Sequence, residues 1–326
     1  MNSCLQKDIQ KADEQEIFLS DVISGLHQKP KKLYSKYFYD EKGDSLFQQI
    51  MEMPEYYLTD CELDIFKNKT AELLANIVLD GSPFDLIELG AGDALKSAHL
   101  LTLMAENKID FTYMPVDISG NILSVLERNL RKQIPSLDIQ LLQGDYFKML
   151  HKVMHASERR KVVLFLGGNI GNMEVEESYK FCTELHNNLK KGDLLITGFD
   201  FKKNPHTILK AYNDPKGITS SFNLNLLARI NRELGADFDI ANFQHYQTYN
   251  PVSGACQSYL FSLKEQTVSI GEHRFIFNEN EFIYMEISQK YSQKDIDRLA
   301  SESGFRIISQ IPDSMNWFVD SVWQVV

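Results

Sequence analysis

Between residues 84 and 201 the sequence alternates short apolar runs with stretches of helical periodicity. The apolar runs are FDLIEL, FTYMPVDI, DIQLLQGD, VVLFLGG and DLLITGFDF, and the helical stretches include SAHLLTLMAEN, NILSVLERNLRKQ and EESYKFCTELHNNLKK. Successive parallel strands need a long crossover between them, usually a helix that covers one face of the sheet. The alternation therefore predicts an α/β fold built on a parallel sheet with helices on both faces.

The pattern changes after residue 202. A helical stretch, FNLNLLARINRELG, is followed by ACQSYLFSLKEQTVSI and HRFIFNENEFIYMEIS, whose alternation of apolar and polar residues is typical of antiparallel strands with one polar face. A helix, KDIDRLASESG, follows, and the strand-like segments FRIISQI and WFVDSVWQVV are then expected to complete the first sheet at its edge. The sequence predicts two domains: an α/β domain of residues 60–201 and 288–326, and an inserted α+β cap of residues 1–59 and 202–287.

Composition excludes several classes of protein. The net charge of −11 and the pI of about 5.3 argue against a nucleic-acid partner. No apolar run approaches the ~20 residues of a membrane span, and the first residues lack a signal peptide. The cysteines, Cys4, Cys61, Cys182 and Cys256, have neither metal-ligand nor disulfide spacing. We therefore expect a cytoplasmic protein without a metal site and without membrane association.

The segment LIELGAGDALKS predicts a strand, a glycine turn and a helix that begins over a ligand. Gly90 and Gly92 permit a turn that β-carbons would obstruct. A dinucleotide site would have a third glycine where Leu95 stands, so a pyrophosphate is disfavoured. A glycine turn with a purely structural role is the alternative.

Polar residues stand at the ends of the next strands, and together they are typical of a site for S-adenosylmethionine, which has an adenosine but no phosphate. Asp117 follows Gly92 by 25 residues and suits ribose hydroxyls. Asp145 can hold an adenine amino group with Tyr146 beside the ring, although an Asx turn would also explain this aspartate. The FLGGNIGN segment adds Gly167, which allows close approach to the sulfonium, and Asn172, which offers an uncharged donor and acceptor.

At this point the sequence resembles a known family. The matching stretches are YFYDEKGDSLFQQIMEMPEYYLT, LIELGAGDALKS, VDIS, VVLFLGGNIGN, AYNDPKGITSSFNLNLLARINRELGADFD and MEISQKY. They resemble the histidine-specific S-adenosylmethionine-dependent methyltransferases, whose best-known members trimethylate the α-amino group of L-histidine in ergothioneine biosynthesis. The resemblance implies a Rossmann-like class I methyltransferase sheet with a substrate-binding cap, and an amino acid as the small-molecule substrate.

The resemblance also implies roles for individual residues. Contacts with S-adenosylmethionine are implied for Tyr56, Gly90, Gly92, Lys96, Asp117, Asp145 and Tyr146, with Lys96 near its carboxylate. Residues implied around the amino-acid substrate are Tyr39, Phe47, Tyr56, Gly167, Asn172 and Tyr212, of which Tyr39, Gly167 and Asn172 are placed at the reaction itself. Glu286 and Ser288 are implied to grip the imidazole. Without the resemblance, Tyr39, Phe47 and Tyr56 would be interpreted as aromatic core residues.

One position departs from the family pattern. Ser258 stands where the histidine enzymes have methionine, so another amino acid such as tryptophan is an alternative substrate. A non-catalytic protein that binds S-adenosylmethionine, or a dinucleotide-dependent reductase, is an alternative from another class. We expect a monomer.

Overall fold

The computed structural model describes residues 2–78 and 81–326, and within residues 2–13 it describes only the backbone. Two compact units can be distinguished. The first unit comprises Met1–Tyr57 and Asn204–Ser288, and the second comprises Leu58–Lys203 and Gln289–Val326. Within the described residues, no helix is long and apolar enough to cross a membrane.

The second unit is built on a seven-stranded sheet. Its strands are β2 (Phe84–Leu89), β3 (Phe111–Asp117), β4 (Leu142–Gln143), β5 (Arg160–Phe165), β6 (Leu194–Asp200), β12 (Phe305–Pro312) and β13 (Phe318–Val325), in the spatial order β12-β13-β6-β5-β2-β3-β4. Strands β6, β5, β2, β3 and β4 are parallel, whereas β13 pairs antiparallel with β6 and β12 antiparallel with β13. This arrangement confirms the predicted α/β fold and the position of the last two strands at the sheet edge.

Helices accompany this sheet along the chain. They are α3 (Tyr57–Asn68), which starts at the last residue of the first unit, α4 (Thr70–Ile77), α5 (Ser97–Glu106), α6 (Gly120–Gln133), α7 (Tyr146–Ala156), α8 (Val175–Asn188) and α11 (Gln293–Glu302). All six residues of β2 are buried, as expected for a central strand covered on both faces. Because β3 pairs with one edge of β2 and β5 with the other, the chain order reverses at β2. Such a reversal is where open α/β sheets bind ligands, beyond the carboxyl ends of the strands.

The first unit contains a four-stranded sheet and a hairpin. The sheet has the order β1-β11-β8-β7, formed by β1 (Lys31–Lys32), β7 (Phe243–Tyr249), β8 (Ala255–Ser262) and β11 (Phe282–Gln289), and the hairpin pairs β9 (Gln266–Ile270) with β10 (His273–Phe277). Its helices are α1 (Asn2–His27), α2 (Glu41–Met51), α9 (Pro205–Ala211) and α10 (Ile218–Leu234). Residues of α10, including Phe222, Leu226 and Ile230, share one apolar core with Leu260 and Ile283 of the sheet.

Residues 200–203 and 289–291, the two chain segments that connect the insertion to the second unit, run side by side. The N–H of Lys202 donates to the carbonyl of Tyr291 at 2.8 Å, and the N–H of Tyr291 donates to the carbonyl of Asp200 at 2.9 Å. The buried carboxylate of Asp200 pairs with Lys203 and, at 2.7 Å, with Lys290. A pair of backbone hydrogen bonds and a buried ion triad thus join these segments within the second unit.

Candidate functional site

The turn after β2 brings a hydroxyl close to a glycine. Gly90 has φ +70°, and its N–H donates to the carbonyl of Val116 at 2.8 Å. A methyl group on Gly90 would lie 2.7 Å from the hydroxyl oxygen of Tyr146, which is too close for a real β-carbon. Gly92, with φ +55°, has open space around its α-carbon. Gly90 is therefore favoured both by its positive φ and by the lack of space for a side chain, whereas Gly92 is favoured by its positive φ alone.

Asp117 stands at the end of β3 with its carboxylate held by the backbone. Its Oδ1 accepts the N–H of Ser119 at 2.9 Å, and its Oδ2 accepts the N–H of Gly92 at 3.3 Å. Burial raises the pKa of Asp117, although these backbone N–H groups counteract the shift. The two bonds orient a carboxylate acceptor at the carboxyl end of the strand, where open α/β sheets bind ligands.

The next strand differs from the prediction. Of the segment DIQLLQGD, only the two residues of β4 form a strand, with an isolated bridge between Tyr113 and Ile139. The carboxylate of Asp145 caps helix α7, because its Oδ1 accepts the N–H groups of Phe147 and Lys148 at 3.1 Å each. Asp145 thus forms the Asx turn that was the alternative to an adenine contact. These two hydrogen bonds use only Oδ1 and not Oδ2. Burial, followed by the charges of Asp117 and Asp145, raises the pKa of Tyr146 to about 12 and keeps its hydroxyl protonated.

The turn after β5 carries two consecutive glycines and two asparagines. Gly167 and Gly168 have φ +78° and +66°, and the short 3₁₀ helix Asn169–Asn172 follows. A β-carbon built on Gly90 or on Gly167 would lie 3.5 Å from Nδ2 of Asn169, so this amide lies between the two glycine turns. The Nδ2 of the exposed Asn172 faces Oδ1 of Asn169 at 3.4 Å. The sequence analysis did not select Asn169, although it stands in the same GGNIGN segment as Asn172.

Lys96 has a protein partner at this edge of the sheet. Its ammonium forms an ion pair with Glu62 of α3 and would lie 3.5 Å from a β-carbon on Gly167. Burial lowers the pKa of Lys96, but the charge of Glu62 and the hydrogen bond to it more than compensate and raise it. Glu62 was not selected from the sequence, since nothing in its helical segment distinguishes it from a surface carboxylate.

In the first unit the structure brings four predicted aromatic residues into a continuous chain. The ring centroids are 5.5 Å apart for Tyr39 and Phe47, 6.5 Å for Phe47 and Tyr56, and 6.0 Å for Tyr56 and Tyr212. Tyr39 is 46% exposed, so it is not the core residue that composition alone suggests. Phe222, which the sequence analysis missed, lies 5.7 Å from Tyr39 and 5.8 Å from Phe47 between ring centroids.

Polar residues continue this chain onto β11. The hydroxyl of Tyr212 lies 2.6 Å from the hydroxyl of Ser288. Glu286 and Ser288 occupy the partly exposed positions of β11, which alternate with buried ones, and therefore share one face of the strand. The Nδ2 of Asn223 approaches Oε1 of Glu286 at 3.4 Å, and Asn223 is fully buried. Asn223 is a further residue that the sequence analysis missed, because an asparagine in a helix carries no signal of its own.

Ser258 lies on the buried side of β8, with Cys256 and Leu260, and is only 3% exposed. It stands opposite Gln247 in the β7–β8 ladder. The position that departs from the family pattern is thus a small polar side chain beside a buried amide. Among the residues whose side chains are described, no group of three or more His, Cys, Asp or Glu could hold a metal ion.

The edge of the second unit's sheet fits S-adenosylmethionine better than a nucleotide phosphate. The oriented carboxylate of Asp117 suits a vicinal diol, and the turns at Gly90 and Gly167 admit close approach. The positive charge of Lys96 is balanced by Glu62, so this lysine offers little net charge to a pyrophosphate. S-adenosylmethionine carries a positive charge at its sulfur and therefore does not require an excess of positive charge from the protein at this edge.

A family model described as "Histidine-specific methyltransferase, SAM-dependent" matches residues 18–325. The chain belongs to this family. As a member, it is an S-adenosylmethionine-dependent methyltransferase, and the predicted cofactor and Rossmann-like methyltransferase fold are confirmed.

Three relatives illustrate the range of the family. Histidine N-alpha-methyltransferase of Mycolicibacterium smegmatis is 33% identical over 89% of each chain. Ergothioneine biosynthesis protein 1 of Schizosaccharomyces pombe is 29% identical over 86% of this chain and 37% of its own length. A 4-dimethylallyltryptophan N-methyltransferase of Epichloe festucae var. lolii is 28% identical over 63% of this chain and 61% of its own.

Proposed function

We propose that this methyltransferase transfers methyl groups from S-adenosylmethionine to the α-amino nitrogen of L-histidine, up to trimethylhistidine. The observation that carries the proposal is the arrangement on β11, where Glu286 and Ser288 share a face and Ser288 contacts the hydroxyl of Tyr212. Membership of the histidine-specific family supports the same substrate. An ergothioneine pathway is supported by the names of the relatives.

On the cofactor side, Asp117 accepts hydrogen bonds from the ribose hydroxyls. Its two backbone donors, Gly92 and Ser119, hold the carboxylate ready for that contact. Tyr146 covers the glycine turn, and Asp145 has one oxygen beyond its helix-capping bonds for the adenine amino group. Lys96, with Glu62 on one side, directs its other N–H groups toward the methionyl carboxylate.

When bound, the cofactor supplies a methyl group that is already activated by its sulfonium. The protein's task is therefore to hold an amine lone pair in line with the S–CH₃ bond. An α-amino group with a pKa near ~8 has a useful neutral fraction at cellular pH, so solvent can take the proton. The family resemblance assigns Asn172, Tyr39 and Tyr212 to the amine, and none of these side chains carries the charge that would stabilise its protonated form.

Aromatic faces become more important as methylation proceeds. A methylated ammonium cannot donate as many hydrogen bonds, but it is attracted to the face of an aromatic ring. Tyr39 and Phe47 lie with their centroids 5.5 Å apart, with Phe222 beside both, and offer such faces. We assign this group of rings to the successive methylation states of the nitrogen.

The substrate side chain is recognised by hydrogen bonds. Glu286 accepts an imidazole N–H and Ser288 bonds the other ring nitrogen, because two residues on one strand face can be bridged by one flat ring. A substrate without these groups would leave the polar atoms of Glu286 and Ser288 without hydrogen bonds in the bound complex and would be rejected. Histidine is thus preferred over tryptophan, despite the small Ser258. A monomeric state and a cytoplasmic location complete the proposal, the latter in keeping with the buried free thiols of Cys61 and Cys182.

The decisive experiment incubates the purified protein with S-adenosylmethionine and each common amino acid in turn. Mass spectrometry should detect additions of one, two and three methyl groups to L-histidine. Modification of another amino acid in place of histidine would reject the substrate assignment but not the methyltransferase chemistry. Cofactor binding without product from any amino acid would favour the non-catalytic alternative.

A further inference from the structure

Glu62 is a fully buried carboxylate that organises the turn after β5. Its two oxygens accept the N–H of Gly167 at 2.8 and 2.9 Å, and Oε2 also pairs with the ammonium of Lys96. A methyl group on Gly198 of β6 would lie 2.5 Å from Oε1, so this glycine leaves the space that the carboxylate occupies. One side chain of α3 thereby ties together the glycine turn, the lysine and the sheet.

A second buried carboxyl, that of Asp320 on β13, lies against Glu62. Asp320 is fully buried and stands opposite Gly198 in the β6–β13 ladder. Within the described part of the chain, no backbone or hydroxyl group donates a hydrogen bond to either oxygen of Asp320. Its neighbour is the carboxylate of Glu62, with which a protonated Asp320 can form a hydrogen bond. Two adjacent ionised carboxylates would repel each other in this setting, so one of them holds a proton.

The surroundings decide which carboxyl is protonated. Burial, and then the negative charge of Glu62, raise the pKa of Asp320 well above its usual range, against the opposing charge of Lys96. Glu62 accepts the Gly167 N–H and pairs with the lysine, whereas the oxygens of Asp320 have no such contacts among the described residues. Asp320 is therefore the protonated member of the pair. The further acidic group beside Lys96, Glu88, has a pKa raised to about 7, chiefly by burial.

We propose that Glu62 is a positioning residue for the cofactor, which holds the Gly167 turn and the Lys96 ammonium in their binding geometry with the help of a hydrogen donated by Asp320. This inference rests on the proposed cofactor site and is independent of which amino acid is methylated. Glu62 acts through its neighbours, since its oxygens are occupied by Gly167, Lys96 and Asp320. Without its charge, Lys96 loses the carboxylate with which it pairs, and the Gly167 N–H keeps at most one neutral amide oxygen as its acceptor.

The test compares Glu62→Gln with Asp320→Asn in the full-length protein. Calorimetry with S-adenosylmethionine should show affinity reduced by at least about tenfold in Glu62→Gln, as for the loss of a charged hydrogen bond. Asp320→Asn should bind within about threefold of the wild type, because an asparagine amide donates to Glu62 as a protonated carboxyl does. In turnover assays, Glu62→Gln should raise the KM for S-adenosylmethionine and leave the KM for the amino acid unchanged.

A second variant covers the case in which Glu62→Gln does not fold. Glu62→Asp keeps the charge but withdraws it by one methylene, and we expect weaker cofactor binding and faster amide hydrogen exchange around Gly167 in the unliganded protein. Wild-type affinity in a folded Glu62 variant would overturn the proposal, as would an equal loss in Asp320→Asn. Asp117→Ala, measured in parallel, distinguishes a wrong role for Glu62 from a wrong cofactor site. If Asp117→Ala also binds S-adenosylmethionine normally, the proposed cofactor site itself is wrong.

Discussion

The hydroxyl of Tyr212, at the end of α9, lies 2.6 Å from the hydroxyl of Ser288 on β11. The pair joins a residue assigned to the amino-acid head to one assigned to the imidazole. Tyr212→Phe and Ser288→Ala should each lower kcat/KM for histidine by about tenfold, and the double variant should lose less than the sum, with a coupling of about 0.5–1.5 kcal/mol. Cofactor affinity should not change. Strict additivity would mean that the two hydroxyls act independently.

Asp117 provides the sharpest test of the cofactor site. Removing its carboxylate in Asp117→Ala deletes the acceptor for two ribose hydroxyls and should weaken S-adenosylmethionine binding by about 1–3 kcal/mol in calorimetry. Asp110→Ala is the matched control, because Asp110 immediately precedes β3 at its opposite end and forms an exposed pair with Arg159. Equal affinities of the two variants would exclude Asp117 as the ribose anchor.

Substrate choice depends on Glu286 in our proposal. Glu286→Ala should abolish most histidine turnover while leaving cofactor binding intact, because the imidazole N–H would lose its acceptor. The measurement is competition between L-histidine and L-tryptophan, in the wild type and in the variant, with product masses as the readout. A wild-type preference for tryptophan, or unchanged histidine turnover in Glu286→Ala, would contradict the histidine assignment.

Glu88 makes stability depend on pH. It is buried in β2, it accepts a hydrogen bond from Tyr113 at 2.6 Å, and burial raises its pKa to about 7 from 4.5. The folded state therefore holds a proton that the unfolded state has lost between these values, and the unfolding free energy falls as pH rises through this window, by about 3 kcal/mol in all.

Glu88→Gln mimics the protonated side chain and should remove this part of the pH dependence, so that its stability relative to the wild type increases between pH 5 and pH 8. Urea unfolding across this range measures the effect. Glu176→Gln, exposed on α8, is the control and should follow the wild-type curve. Parallel curves for Glu88→Gln and the wild type would show that Glu88 is ionised in the folded protein.

The ion triad at Asp200 should be important for stability. Burial lowers the pKa of Lys203, whereas the charge of Asp200 opposes that shift, and Lys290 is fully buried. Asp200→Asn would remove the charge of the carboxylate that both buried ammonium groups share and should cost about 3–5 kcal/mol of unfolding free energy. Glu158→Gln, which breaks the exposed pair with Lys190, should change stability little. Similar denaturation midpoints for both variants would contradict this account.

The sheet of the second unit was predictable because its central strands are mostly apolar and because β2 and β5 lead into glycine turns. Periodicity located β2, β3, β5 and β6 and the helices α5, α6 and α8, whereas the segment of α7 was not named as a helix. It overextended β4, because a run of apolar residues at a sheet edge need not find a partner along its whole length. It missed β7, whose sequence FQHYQTY has too few aliphatic residues to signal a strand.

The candidate site was only partly predictable. Asp117 and the glycine turns could be predicted because open α/β sheets bind ligands at the carboxyl ends of their strands. The aromatic residues came from the family resemblance. Glu62 is 105 positions from Gly167, and Asn223 is 63 from Glu286, so their contacts arise from tertiary packing that no local pattern encodes. The roles of all these residues at the site remain predictions.

The side-by-side course of residues 200–203 and 289–291 makes the segment between them a module. Its two ends leave and rejoin the second unit at neighbouring points. Its length and sequence can therefore change without altering the strand register in the sheet of that unit. We therefore expect the inserted segment to be replaceable, together with residues 1–57 of the same unit, while the sheet of the second unit is kept. Chimaeras joined at these segments are the natural starting point for engineering other amino-acid N-methyltransferases.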